Sequence, residues 1–488
     1  MNRRAMLAAT GSVLATAAFG EAPFTSMRPV ARVPAEDAIR KLVAEAGLTG
    51  VTGVVVTDLA TGAVIEDIAG AVAQPPASTA KAVTALYALE SLGAGHRFET
   101  RVHADGPIVN GVVEGNLILA GGGDPDLATD DLATLAARLK DAGLREVKGD
   151  FLVWDEALRK VDQIDPSQLD HFGYNPTITG LNLNYNRVHF EWKRAGEGFE
   201  TFVDARSDTY RPAVTVAKVD IVDRAAPVFT YANAGNADRW TVARSSLNDA
   251  GSRWLPVRHP ALYAGEVFAT FMRSNGVVLQ SPKQTPTQPG GPVLARLQSN
   301  PLAQQLQFML RNSINLSAEV TGMSATKALL GQRVGLQDSA VAMSDWASLR
   351  CEGRVAPAFV DHSGLGDASR ISPADMVGIL AAPRVHDQLF PILRPVRVFD
   401  DAGTEILRQG LDVRAKTGTL NFVSSLAGYV RTEQGRNLVF AIFSSDLPRR
   451  EEGKRSGAER PQGAVAWSRR ARAMQGKIVR HLATRLPA

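Results

Sequence analysis

Along residues 53–68, GVVVTDLATGAVIEDI, two apolar runs flank a polar turn containing Thr61-Gly62, the pattern of a β-hairpin. Pro75 and Pro76 stop that pairing, because proline has no N–H to give to a ladder. The spacing then predicts a helix from about Ser78, a capping residue, to Gly93, a residue suited to its end. From Ala82 to Leu92 that helix is apolar nearly all round, interrupted only by Thr84, Glu90 and Ser91, so it is expected to be buried on most sides.

From about residue 96 to 292 the texture changes. Short β-type runs such as RVHADGPIV, GNLILAGG, GDFLVWD, LNLNYNRVHFEW and AVTVAKVDIV alternate with Gly, Asp and Pro turns, and one helical stretch, DDLATLAARLKDAG, interrupts them. This reads as a β-rich insertion of two small domains, with PTQPGGP near 286–292 as the return linker. Helical patterns resume at PLAQQLQFMLRNSINLSAEVTGMSATKALLG. The chain closes on LDVRAKTGTLNF, SLAGYVR and NLVFAIFSS, three strands in antiparallel sequence with Gly435 in a turn. The expected fold is α/β (α+β): an antiparallel sheet joining the first hairpin to the last strands, flanked by helices. The expected division is a signal segment at 1–20, a discontinuous domain at 21–95 and 293–488, and the insertion at 96–292.

Composition changes this picture little. The 488 residues exceed one average core, and 45% apolar with 21% charged residues is ordinary for a globular protein. Arg3 and Arg4 precede the mildly apolar AMLAATGSVLATAAFG, with Ala18 and Gly20 as small residues for cleavage. That pattern predicts an exported, periplasmic protein, by the general secretory or the twin-arginine route. The stretch is too short and too rich in Ala, Gly and Thr for a membrane span. Losing Arg3 and Arg4 lowers the formal charge from +4 to +2, so no whole-chain field favours a nucleic acid. The basic excess is local: Arg469, Arg470, Arg472, Lys477, Arg480 and Arg485 crowd a helical tail without one acid. A solvated helix face is the expectation there, with peripheral contact to an anionic membrane or cell-wall polymer as the alternative. The single Cys351 excludes an internal disulfide, and the eight histidines hold no H-x-x-x-H pair, so no metal or cofactor is expected.

The candidate chemistry lies in three short motifs. In QPPASTAK, Lys81 follows Ser78 by three residues, so on a helix its amine can reach the hydroxyl. Serine needs a base to become a nucleophile, and burial lowers a lysine pKa enough to make it one. The helix N-terminus offers N–H groups to developing negative charge. Alone this motif is weak, and Ser324-Lys327 repeats its spacing. K-T-G at Lys416, Thr417 and Gly418, followed by Thr419, is scarcer, expected by chance roughly a tenth of a time in such a chain. Its lysine can hold a substrate carboxylate, and Gly418 lets a peptide lie against the strand edge. Ser313-Ile314-Asn315 offers a hydroxyl to relay a proton and an amide to grip a substrate backbone. Ser246-Leu247-Asn248 has the same spacing but falls in the insertion, and Ser324 follows Ser313 by only eleven residues and breaks the order.

S-x-x-K, S-x-N and K-T-G together are the signature of penicillin-binding proteins and class A β-lactamases. The order, the long insertion after the first motif, and the blocks PPASTAKAVTALYAL, GNLILAGGGDPDL, SINLSAE, DHSGL…RISP and KTGTLNFVSSLAGYV resemble the penicillin-binding protein 4 type of D-alanyl-D-alanine carboxypeptidase/endopeptidase, peptidase family S13. The resemblance runs from about residue 35 to 480. It implies a transpeptidase/β-lactamase-like domain carrying further inserted domains. It also implies Ser78 as the acylated nucleophile, Lys81 as its base, and Ser313 and Asn315 for proton transfer and substrate orientation. Lys416 and Thr417 would bind the terminal carboxylate, with the N–H groups of Ser78 and Thr419 as oxyanion hole. The substrates implied are peptidoglycan stem peptides, cut at D-Ala-D-Ala and at D-Ala-diamino acid cross-links, with β-lactams as covalent inhibitors.

Two positions depart from the pattern. Ile314 stands where many relatives have aspartate, a side chain with no required role. DHSGLGDAS carries His362 and Gly366 where the family has small or hydroxyl residues, so Asp361 and Ser363 are read as parts of a structural turn. GGGDPDL (121–127) lacks the lysine and following helix of a phosphate loop and is read as a turn. A β-lactamase or esterase would need a deacylating glutamate, for which Glu352 is the nearest candidate. A non-catalytic peptidoglycan-binding scaffold would be expected to have lost a motif residue.

Overall fold

The computed structural model describes residues 36–484; the targeting segment read at 1–20 and Arg485 lie outside them. Val51–Asp58 and Val64–Ile68 form the expected hairpin. Its turn is held by the Asp58 carboxylate, which accepts from the N–H groups of Ala60 and Thr61. This hairpin joins Asn437–Ser445, and the order continues through Val423–Arg431 and Asp412–Leu420 to a two-residue edge at Arg394–Pro395. All neighbours in this sheet are antiparallel.

The central strands read as unbroken apolar runs because both faces are covered. Successive side chains alternate between faces. Val54, Val56, Leu438, Phe440 and Ile442 pack with Met474, Ile478 and Leu482 of the Ala464–Thr484 helix. Val55, Val439, Ala441 and Phe443 pack instead with the helices Ala80–Leu92, Leu302–Asn312 and Pro373–Ala381.

The chain leaves this body after residue 98. Glu99–Ala104, Leu117–Gly121, Phe151–Trp154, Lys283–Gln284 and Val293–Gln298 form one sheet, and two three-stranded sheets follow between Arg187 and Pro256. These share one continuous apolar core, from Val102 through Phe190 and Trp240 to Leu279.

Three expectations need correcting here. Val293–Gln298 pairs with Glu99–Ala104, so the return follows residue 298 rather than the linker at 286–292. A second helix, Pro260–Ser274, accompanies Thr129–Asp141 in the insertion. It is buried nearly all round, including Tyr263, Val267, Phe268 and Phe271, and so shows no polar stripe from which a helical period could be read. Ser78 is not a helix cap: it sits inside a 3₁₀ turn, Ala77–Thr79, ahead of the helix, and no side chain caps either start.

The C-terminal helix buries Trp467, Ala471, Met474 and Ile478 and leaves Arg469, Arg470, Arg472 and Lys477 exposed, while Arg480 pairs with Asp401. Among the described residues, no helix is long and apolar enough to cross a membrane.

Phe440 is fully buried between the sheet and the C-terminal helix. Phe440→Ala should lower stability by about 3–5 kcal/mol, read as a shift of the denaturant midpoint.

Candidate active site

From Gln74 to Ala88 every residue is buried except Ser78. The turn that presents it begins at Ala77, which adopts φ +46°, a conformation L side chains rarely take. Thr79 ties the turn shut by donating its hydroxyl to the Pro76 carbonyl at 2.7 Å. Ser425, on the central strand Val423–Arg431, donates to the same carbonyl at 2.5 Å.

Gly418 explains how the K-T-G strand comes so close. A Cβ there would overlap the Ser425 hydroxyl and stand 2.8 Å from the Pro76 carbonyl and 2.9 Å from the Ser78 nitrogen. The missing side chain therefore makes room for the Ala77–Thr79 turn, a reason in addition to the substrate approach expected from sequence.

Lys81 is fully buried, with no solvent-accessible surface. Its Nζ donates to Ser78 Oγ at 2.9 Å, to Asn315 Oδ1 at 2.7 Å and to the Ser363 carbonyl at 2.9 Å. Burial pushes its pKa down to about 8, and the nearby carboxylates of Glu319 and Asp361 oppose that shift. Burial is thus the main cause, as expected from the apolar helix that carries it. Lys416 is likewise buried and lies well below the usual lysine range, first from burial and then from repulsion by Lys81 and Arg394. Its Nζ donates to Ser313 Oγ at 3.0 Å and to the Thr417 carbonyl at 2.7 Å. Ser313 ends the Leu302–Asn312 helix in the left-handed region, φ +59°, and this sharp turn faces its hydroxyl toward Lys416.

Ser78, Ser313, Asn315 and Thr419 line one cavity of about 590 Å³. Thr417 lines a separate one on the other stretch of the same strand. The three motifs, distant in sequence, are thus joined by direct hydrogen bonds between Ser78, Lys81 and Asn315 and between Ser313 and Lys416. The decoys stand elsewhere. Lys327 donates to the Ala157 carbonyl at 3.1 Å, and Ser246 closes an exposed 3₁₀ turn in the insertion. Glu352 is exposed beside Arg354 and does not line the cavity of Ser78.

Glu319 and Tyr174 escaped the sequence reading, whereas Asp361 and Ser363 form the structural turn expected there. Glu319, fully buried, accepts from the backbone N–H groups of His362 and Ser363 at 2.8 and 2.9 Å. Asp361 accepts from Gly364 at 2.6 Å and from Gly366. The loop that gives Lys81 its carbonyl is therefore wrapped around two carboxylates. Burial and Asp361 raise Glu319 to about 8, against the pull of its hydrogen bonds. A glutamate four residues after Asn315, and so on the same helix face as that motif residue, was the available signal. His362 is held neutral by burial, with a pKa near 3. It bonds to Ser339 at 2.8 Å, and its ring fills the space left by Gly322, where a Cβ would collide with it. The insertion also reaches the site. Asn315 donates its amide to the Tyr174 carbonyl at 2.9 Å, and the GGGDPDL turn docks through Asp124 on Gln305 and Asp126 on Ser317.

The model of the D-Ala-D-Ala carboxypeptidase 3 (S13) family matches residues 35–469. A D-alanyl-D-alanine carboxypeptidase of Actinomadura sp. (strain R39) is 29% identical over 91% of this chain and 87% of its own length. The D-alanyl-D-alanine carboxypeptidase DacB of Haemophilus influenzae is 26% identical over 78% of this chain and 82% of its own. The crystal structure of penicillin binding protein 4 from Haemophilus influenzae superposes with a TM-score of 0.72 at 22% identity, covering 91% of this chain and 98% of that one. That superposition establishes a shared fold, with its antiparallel sheet between helices.

Gly418→Ala should slow modification of Ser78 by about 10²-fold or more while leaving thermal unfolding cooperative, because a shift of an ångström at the nucleophile is enough; rate constants with a serine-directed acylating agent check this. The same rate should rise with pH through about 8 as Lys81 loses its proton. In Glu319→Gln that rise should move modestly to lower pH, because Glu319, itself raised to about 8, is partly ionised where Lys81 titrates and its charge favours the protonated amine.

Proposed function

The chain belongs to the D-Ala-D-Ala carboxypeptidase 3 (S13) family, and from that premise we propose that Ser78 is the nucleophile of a serine DD-peptidase acting on peptidoglycan stem peptides. The observation that carries this is the 2.9 Å contact between Ser78 Oγ and the amine of a fully buried Lys81, at the one accessible residue of a buried segment.

Neutral Lys81 takes the Ser78 proton as Oγ attacks the carbonyl of the penultimate D-alanine. The N–H groups of Ser78 and Thr419 receive the oxyanion. The C–N bond then breaks, and the leaving amine takes a proton passed back through Lys81 and Ser313. Water hydrolyses the acyl ester by the same groups in reverse, restoring Ser78. Asn315 orients the acyl side, and Lys416 with Thr417 holds the carboxylate of the leaving residue. A β-lactam presents a strained amide and a carboxylate in similar positions, so it acylates the same serine. When the leaving amine is a cross-bridge, the same steps cut D-Ala-diamino acid links.

The reading places the enzyme outside the cytoplasm, in the periplasm after removal of residues 1–20. It also divides the chain into a discontinuous catalytic domain, 21–95 and 293–488, and the insertion 96–292. The pairing of Val293–Gln298 and the single core of the insertion favour a return after 298 and one inserted unit. Arg469, Arg470, Arg472 and Lys477 offer an exposed basic face to an anionic membrane or cell-wall polymer.

Intact-mass measurement after benzylpenicillin treatment tests the assignment. One penicilloyl adduct is expected on the wild type and on Ser324→Ala, and none on Ser78→Ala. Rapid loss of drug without an adduct would indicate a lactamase, and an intact drug with no adduct a binding scaffold.

A further inference from the structure

The two cavities that share the K-T-G strand lie at different places along it. Thr419, Leu420 and Asn421 line the cavity of Ser78. Ala415 and Thr417 line the second, of about 790 Å³. Given the proposed roles, the scissile carbonyl lies at Ser78 and Thr419 and the leaving residue's carboxylate at Lys416 and Thr417. Whatever is attached beyond that residue must then run toward Ala415, into the second cavity.

The walls of that cavity are cationic and aromatic. Arg311, from the last turn of the Leu302–Asn312 helix, and Arg394, on the edge strand, are exposed and have no carboxylate partner among the described residues. Arg397 is only loosely paired with Glu405, at 3.8 Å. Phe308 and Phe399 stand 47% and 45% exposed. A free stem peptide ends at its terminal D-alanine and would leave this space empty. A cross-linked substrate fills it, because its leaving diamino acid continues through its side chain into a second stem peptide bearing further carboxylates.

We propose that the Arg311–Arg394–Arg397 groove is the leaving-side subsite for the second stem peptide of a cross-link, and that it directs the enzyme toward endopeptidase cleavage. This rests on the peptidase reading above. The chemistry balances as before: the D-alanyl carbonyl passes to Ser78 Oγ, the amide C–N bond breaks, and the side-chain amine of the second peptide departs with one proton. The arginines take no part in that step. They bind carboxylates remote from it, so their contribution falls on affinity, and exposed ion pairs are each worth a few-fold.

The test compares two substrates, a monomeric pentapeptide and a dimer of two stem peptides joined by a D-Ala-diamino acid bond, with Arg311→Ala and Arg311→Ala/Arg397→Ala. Both residues are exposed, and benzylpenicillin acylation of each variant reports an intact catalytic centre. The expected result is a loss of dimer kcat/KM of about threefold in the single variant and about tenfold in the double. The loss should be carried by KM, with D-alanine release from the pentapeptide within about twofold of wild type. Raised salt should weaken dimer cleavage in the wild type more than in the double variant. Equal losses on both substrates, or none on the dimer, overturn the proposal. So does a wild type that releases D-alanine but leaves the dimer intact, which would keep the peptidase reading. Failure of wild type both to release D-alanine and to form a penicilloyl adduct would remove the peptidase reading itself.

Discussion

The amine of Lys81 is the point on which the site depends. It has no access to water, so its three hydrogen bonds must come from protein, and they come from three separate segments: Ser78 Oγ, Asn315 Oδ1 and the Ser363 carbonyl. An unpaired buried ammonium would cost several kcal/mol. The nucleophile turn, the 313–315 turn and the 361–366 loop are thereby constrained to meet at one atom. The same burial lowers the amine's pKa, which is what the base role proposed for Lys81 requires.

Burying two lysines is tolerated because two buried carboxylates accompany them. Glu319 and Asp361 do not touch Lys81 directly. Each is occupied by backbone N–H groups of the loop that carries the Ser363 carbonyl. The two carboxyl groups therefore act twice, fixing the loop's shape and opposing the fall of the Lys81 pKa. The small residues serve the same crowding: Gly418 admits the nucleophile turn and Gly322 admits the His362 ring. His362, a departure from the family pattern, is thus a packed neutral core residue and leaves the loop's hydrogen bonds intact.

The insertion is part of the site rather than a passenger. Its Tyr174 carbonyl takes the Asn315 amide, and its Asp124 and Asp126 fasten the segment that carries Ser313. His171 and Arg253, also from the insertion, bond Glu459 at 2.5 and 3.0 Å, and Glu459 lines the cavity of Ser78. From the insertion, Ser167, Gln168, Leu169, Phe172 and Tyr174 line the cavity of Ser78.

Sequence by itself determined the local features of this protein. The apolar alternation and turn residues marked the hairpin and the last three strands, and the buried helix after Ser78 was plain because its apolar run is continuous. The three motifs, with their order, singled out Ser78, Lys81, Ser313, Asn315, Lys416, Thr417, Gly418 and Thr419, and excluded Ser324 by its place. Tertiary structure alone decided what depends on distance across the fold. It placed Glu319 and Asp361 around the loop that serves Lys81, sent Thr417 and Thr419 to different cavities, and brought Tyr174 to Asn315. It also gathered Arg311 and Arg394 beside the edge of the catalytic strand. Local periodicity and spacing report which face a residue shares with its near neighbours. Charge balance, close approach and a shared cavity are set by residues as far as 349 positions apart, and no local pattern encodes them.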